Sequence, residues 1–235
     1  MSIHSRLINL FFILFISTGL YGQIKVEVRD GAISEYNMAI APVINSEGAS
    51  PAQSKEISDA IGLVLDITGY FKMLDPKSFL EKADVPPSSV DFKNWMNVGA
   101  NGLIKGTIKG SDNVELELYF FDVAEGKEIL RKKYKSSAKA IKKAAHRFAS
   151  DLITLLTGEE MSFMFSRVCF VEKSGEAYSL ISTDFDGSDK KVIYSVKKII
   201  LLPEWSADGK KIFFTSYEKS NPNLYSIDVA TKQIK

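Results

Sequence analysis

The sequence predicts an α/β (α+β) N-terminal domain followed by the first one to two blades of a β-propeller. Two observations carry this expectation. Between Gln23 and Gly158, stretches of strand periodicity alternate with stretches of helical periodicity, the pattern of a mixed layered domain. From Phe163 onward the helical period disappears, and short strands repeat at an offset of 44 residues. Repeats of that length built from short strands are the mark of propeller blades.

Each element has a local reason. Gln23-Ile24-Lys25-Val26-Glu27-Val28-Arg29 alternates strictly and reads as a strand that Asp30-Gly31 ends. Met38 to Val43 suits a buried strand. Ser50-Pro51 opens a helix, with Ser as N-cap and Pro at the first helical position. Ile57, Ile61, Val64 and Leu65 share one face of it, and Gly69 marks its end. Asp75-Pro76 predicts a second short helix, Pro86 to Ser89 a loop, and Asp91 to Val98 a short helix carrying Trp95. Leu103–Ile108, Val114–Phe120 and Glu128–Tyr134 read as successive antiparallel strands, joined by turns at Gly110–Asn113 and Glu125-Gly126. Ser137 to Leu156 is the strongest helix, with Ile141, Ala145, Phe148, Leu152 and Leu156 on one face and Gly158 suited to the left-handed cap.

In the second region, Val168–Val171 aligns with Ile212–Thr215, and Leu180–Asp184 with Leu224–Asp228. Within it, Trp205-Ser206-Ala207-Asp208-Gly209 supplies a tight turn, with Gly209 at positive φ and Trp205 as bulk for packing between blades. At 44 residues per blade, residues 163–235 hold about one and a half blades. Propellers have four to eight, so the chain reads as part of a longer propeller. The competing expectation is a small antiparallel sheet on the first domain.

The N-terminus carries an address. Arg6 precedes a ten-residue apolar run, Leu7 to Ile16, and small and turn-forming residues follow from Ser17 to Gly22. That order is a cleavable secretory signal, too short to span a bilayer. Cleavage fits after Gly19 or after Gly22. The expected organisation is therefore a signal peptide over 1–22, an N-terminal domain over 23–160 and a partial propeller over 163–235.

Composition excludes several function classes. A net charge of +1 provides no field for nucleic acid. The single cysteine, Cys169, cannot form an intramolecular disulfide, and its apolar surroundings predict a buried structural thiol. His146 and His4 are the only histidines, too few for a histidine metal site, and no Gly-x-Ser-x-Gly is present. No cofactor, metal site or catalytic residue is expected. Asp184–Asp189 has Gly187 where no calcium loop would, so it reads as a turn between blade strands. Gly99–Gly106 lacks a phosphate-loop ending and reads as turn glycines. Arg131 to Arg147 contains no acid and reads as a solvated basic face, with an acidic partner or anionic lipid as the other possibility.

Taken together these residues resemble the TolB family. The similar stretches, in order, are Gln23–Gly31; Trp95, Gly99-Ala100, Leu103 and Gly106; Phe120–Val123 with Gly126; Ala145-His146-Arg147, Asp151 and Leu156–Gly158; and Trp205–Gly209. The resemblance covers the chain after its signal, and only the first half of a TolB. Ala207 replaces the usual Pro, Met161 stands where Gly is common, and the junction before Arg167 is about one residue longer. What the resemblance implies is a non-enzymatic periplasmic scaffold of the Tol-Pal system. Such proteins maintain the outer membrane and its constriction during cell division, and the system is used in protein import. Their N-terminal segment engages the inner-membrane protein TolA, and their propeller binds the peptidoglycan-associated lipoprotein Pal. Carried over residue by residue, the TolA-facing segment is Gln23, Ile24, Lys25, Val26, Glu27, Val28, Arg29, Asp30, Gly31, Ala32, Ile33 and Ser34. Trp205, Ser206, Asp208 and Gly209 form the structural blade-turn motif. Membrane association would come only through these partners. The alternative is the N-terminal part of an exported propeller-containing serine peptidase, since the Trp-Ser-x-Asp-Gly turn occurs in those propellers too.

Overall fold

The computed structural model describes residues 28–29, 32–33 and 36–235. The expected signal peptide, Gln23–Glu27, Asp30, Gly31 and Ser34 lie outside the described residues. Two short strands, β1 (Val28–Arg29) and β2 (Ala32–Ile33), pair antiparallel, Val28 with Ile33 and Arg29 with Ala32.

The N-terminal region is built on a six-stranded mixed sheet. Its strands are β3 (Tyr36–Ile40), β4 (Ile44–Ser46), β5 (Phe71–Met73), β6 (Gly102–Lys109), β7 (Asn113–Asp122) and β8 (Lys127–Ser137). The order is β5-β3-β6-β7-β8, with β4 continuing along the β6 edge beside β3. β5, β3, β4 and β6 are parallel; β6, β7 and β8 form an antiparallel meander. Strands β4 and β5 are too short to show a period, and the alternation rule missed both.

Two helices cover one face. Helix α1 (Pro51–Ile67) starts where Ser50 and Pro51 predict, and Gln53 completes a reciprocal capping box with Ser50. Helix α3 (Ile141–Thr157) begins later than expected, because Ala138–Ala140 is a 3-10 turn, and it ends on Gly158 at φ 80°. Ile57, Ile61, Val64 and Leu65 of α1 and Ile141, Ala145, Phe148 and Leu152 of α3 are buried against Ile104, Ile108, Leu116, Leu118 and Phe120 of the sheet.

The segment 74–98 covers part of the opposite face. It contains the short helix α2 (Phe92–Asn97), and Trp95 packs there with Leu103, Phe121 and Val123. The helix expected at Asp75-Pro76 is a single 3-10 turn, Pro76–Ser78, and the loop expected at Pro86–Ser89 contains another, Pro87–Ser89. The prolines supply starts, and no apolar face follows to lengthen them. Lys105 of β6 points into this layer and pairs with Glu81; their side chains are 2% and 3% exposed. Glu81 also accepts the Asp91 N–H at 2.9 Å, so one carboxylate ties the segment to the sheet.

Gly102, expected in a turn, is inside strand β6, and Gly106 lies in the same strand, as the expected strand Leu103–Ile108 placed it. Gly99 turns the chain at φ 78°. Gly102 and Gly106 are on the helix-facing side of β6, where an added Cβ would stand 2.6 Å from Phe120 Cε2 or 2.6 Å from Leu118 Cδ2. They make room for large neighbours.

The C-terminal region holds six strands: β9 (Arg167–Ser174), β10 (Ala177–Asp184), β11 (Lys191–Val196), β12 (Ile200–Trp205), β13 (Lys211–Ser216) and β14 (Asn223–Asp228). They form two three-stranded antiparallel sheets, β11-β10-β9 and β12-β13-β14. The 44-residue repeat falls on equivalent hairpins, β9–β10 and β13–β14. Leu180 and Ile193 of one sheet share a core with Ile200, Ile212, Phe214 and Ile227 of the other. This is face-to-face blade packing. Cys169 is half-buried against that core, less enclosed than its apolar neighbours suggest.

The Lys105–Glu81 pair generates a prediction. Lys105→Met leaves a carboxylate buried without a counter-charge and should cost about 3–5 kcal/mol in urea unfolding. The double variant Lys105→Met/Glu81→Leu should recover most of that loss.

Candidate functional site

The sequence-predicted site residues fall in two separate places. Of the terminal segment, the backbones of Val28, Arg29, Ala32 and Ile33 are described, as the paired strands β1 and β2. The turn motif lies between β12 and β13. Ser206 donates its N–H to the Lys211 carbonyl at 2.9 Å and its hydroxyl to Asp208 Oδ1 at 2.7 Å. Its Oγ accepts the Lys211 N–H at 2.9 Å, Asp208 accepts the Lys210 N–H, and Gly209 takes φ 66°. The Ser206 hydroxyl first, then the Lys210 N–H, hold the Asp208 carboxyl below the usual range. The Ser206 and Asp208 side chains are both engaged within the turn. Trp205 packs against the core between the two sheets.

The basic run is not a bare cationic face. Lys132 pairs with Asp151 at 3.1 Å, Lys133 with Glu117 at 3.3 Å, Lys135 with Glu115 at 2.9 Å, and Arg131 with Glu117. Strand pairing brings Glu115 and Glu117 from β7, and α3 brings Asp151, all outside a linear scan of residues 131–147.

Sequence reading missed a third place, a charged joint between α3 and the β10–β11 turn. Lys142 and His146 are one helical turn apart and so share a face. Asp186 enters between them with its side chain wholly enclosed. Lys142 Nζ lies 2.6 Å from Asp186 Oδ2, and His146 Nε2 lies 3.6 Å from it. These are ionic contacts, not well-aligned hydrogen bonds. Ser188 donates its N–H to Oδ1 at 2.9 Å and its hydroxyl to the same oxygen. The Phe185 ring stands edge-on to His146, with centroids 4.9 Å apart. Arg167 donates to Asp184 and Asp189, each at 2.8 Å, and braces the turn from the blade side. The only sequence signals were the Lys142/His146 spacing and the acid-rich Asp184–Asp189 turn.

Burial drives the Asp186 carboxyl up, but Lys142 and the Ser188 donors outweigh it and bring it to about 2. Burial lowers His146 more than Asp186 raises it. Among the described residues no group of three or more His, Cys, Asp or Glu is placed to hold a metal, and no helix is long and apolar enough to cross a membrane.

Comparison with known proteins places both regions. The family model described as the TolB amino-terminal domain matches residues 24–129, and that described as the TolB beta propeller domain matches residues 153–235. The Tol-Pal system protein TolB of Nitrosomonas europaea is 29% identical over 225 residues, covering 95% of this chain and 51% of the relative. That of Desulfosudis oleivorans is 35% identical over 173 residues, covering 72% of this chain and 39% of the relative. The crystal structure of TolB from Acinetobacter baumannii superposes with a TM-score of 0.70 at 25% identity, covering 86% of this chain and 49% of that one. The chain thus spans about half the length of the curated relatives it matches.

The joint has a defined pH response. His146 is lowered from its ordinary 6.5, so the unfolded chain binds its proton first, and stability is lost as pH falls through 6.5. Asp186 is lowered from 3.8, so its contribution is present above 3.8 and lost as pH falls towards about 2. Urea midpoints measured against pH should decline in these two windows, and His146→Gln should remove the upper one.

Proposed function

Because this chain belongs to the TolB family, we propose that it is a non-enzymatic scaffold of a Tol-Pal-like system in the Gram-negative periplasm. The observation that carries this reading is the co-occurrence, in order, of matches to both the TolB amino-terminal domain and the TolB propeller. In this reading residues 1–22 are removed on export, 23–160 form the N-terminal domain and 163–235 belong to the propeller. The scaffold contributes to outer-membrane integrity, to envelope constriction at division and to protein import through the system.

Gln23–Ser34 is the proposed docking segment for a TolA-like inner-membrane protein. Its alternating side chains suit an extended partner that pairs along a sheet edge. The β1–β2 pairing within it supports an extended backbone. The propeller is the proposed platform for a Pal-like peptidoglycan-associated lipoprotein. Trp205, Ser206, Asp208 and Gly209 serve the blade turn and not a ligand, which agrees with their local hydrogen bonding.

Deleting Gln23–Ser34 should abolish capture by the immobilised TolA-like protein of the same cell. The urea midpoint of the remaining chain should stay unchanged. Undiminished capture by the deleted chain would sink the docking assignment.

A further inference from the structure

The contact between α3 and the β10–β11 turn has the chemistry of a reversible fastening. Among the described residues, the ion pairs that cross from the six-stranded sheet domain to the blades are Lys142–Asp186, His146–Asp186 and Lys143–Asp184, the last at 4.0 Å. All three converge on one turn. The chain joining the two regions runs through Gly158 in the left-handed conformation and a single 3-10 turn, Ser162–Phe165. Met161 and Met164 of this connection are buried in the core of the sheet domain, so it is anchored on that side; beyond the 3-10 turn, the contacts of the β10–β11 turn fix how the first blade meets α3.

Asp186 is the residue that makes the fastening selective. Its side chain is wholly enclosed, yet it belongs to a surface turn that water would solvate fully if the turn moved away. A buried carboxylate is tolerable only with its partners in place, and its Coulomb gain is nearly offset by desolvation. Such a pair contributes little net free energy but strongly penalises any other arrangement. The Phe185 ring extends the contact over His146, and Phe163 from the connection stands 6.4 Å from Phe185. His146 therefore sits under an apolar lid, faced by Asp186 and Asp184 from the turn and by Lys142 from its own helix.

We propose that this joint is an acid-sensitive latch: Asp186, seated between Lys142 and His146, locks the N-terminal domain to the first blade, and protonating His146 releases it. In the docked state His146 is neutral, and one carboxylate balances the one ammonium of Lys142. A proton on His146 puts a second cation beside Lys142 in a site that excludes water. The undocked turn carries no such cost, because Asp186 and His146 are both hydrated. The lock is thus set by charge count at one turn, with the chain between the 3-10 turn and β9 as the pivot. This inference rests on the contacts of this chain alone and is independent of the Tol-Pal reading.

The test is a distance measurement by pulsed electron resonance in the full chain carrying Cys169→Ser, with spin labels at Lys127 and Lys219. At pH 7.5 a single narrow distance is expected. Asp186→Asn keeps the side-chain shape and removes the charge; it should add a second distance, with about a tenfold rise in the undocked-to-docked ratio. Ser188→Ala is the milder second variant and should show the same second distance at lower amplitude. Lowering the pH of the unmutated joint below 6.5 should populate that distance too, and His146→Gln should abolish this acid response while leaving the pH 7.5 distance in place. A single unaltered distance in both Asp186→Asn and Ser188→Ala, with far-UV circular dichroism intact, overturns the latch. An acid response that persists in His146→Gln overturns its assignment to His146.

Discussion

Strand β6 is the constraint from which the rest of the sheet domain follows. It must be covered on both faces while lying between β3 and β7. On the helix side it gives up two side chains, at Gly102 and Gly106, and the space is taken by Phe120, Tyr36 and Leu118 from the flanking strands. Glycine ordinarily weakens a strand through backbone entropy. Here the loss is offset by aromatic and aliphatic burial that no side chain at 102 or 106 would permit. On the other side β6 carries Lys105, and the 74–98 segment closes over it with Glu81 and Trp95. One strand therefore determines where α1 and α3 seat, and where the covering segment must supply a carboxylate.

Charge in this molecule is organised by pairing across elements. The run from Arg131 to Arg147 is unbroken in sequence, yet β7 meets it with Glu115 and Glu117, α3 with Asp151, and the first blade with Asp184 and Asp186. The exposed pairs add little to stability individually. What they do is discharge a surface that would otherwise attract anionic partners indiscriminately.

The parts legible in the sequence are those with a period or a local chemical signature. Helix α1 was announced by Ser50-Pro51 and its apolar stripe, α3 by its stripe and Gly158, the meander by alternation, and the blade hairpins by their offset. The rest depends on contacts distant in the chain. β4 and β5 are held by their neighbours and not by any preference of three residues. Gly102 looks like a turn residue until Phe120 is seen beside it, and the need for glycine at 106 shows only in the closeness of Leu118. Cys169 lies in an apolar run, but β9 is an edge strand paired with β10 alone, and the thiol stays half-exposed. Asp186 could be read as a turn residue; its place between Lys142 and His146 belongs to the tertiary structure alone.

The two tryptophans are divided between the two regions. Trp95 is 2% exposed beneath the covering segment, 4.9 Å from Phe79 and with the Lys105 ammonium 6.0 Å from its ring. Trp205 is part-buried at the margin of the core between the blade sheets. Their surroundings differ in polarity and in nearby charge, so their emission differs in colour. Intrinsic fluorescence of the unlabelled chain is therefore a two-channel record, in which each domain announces its own loosening without an added dye.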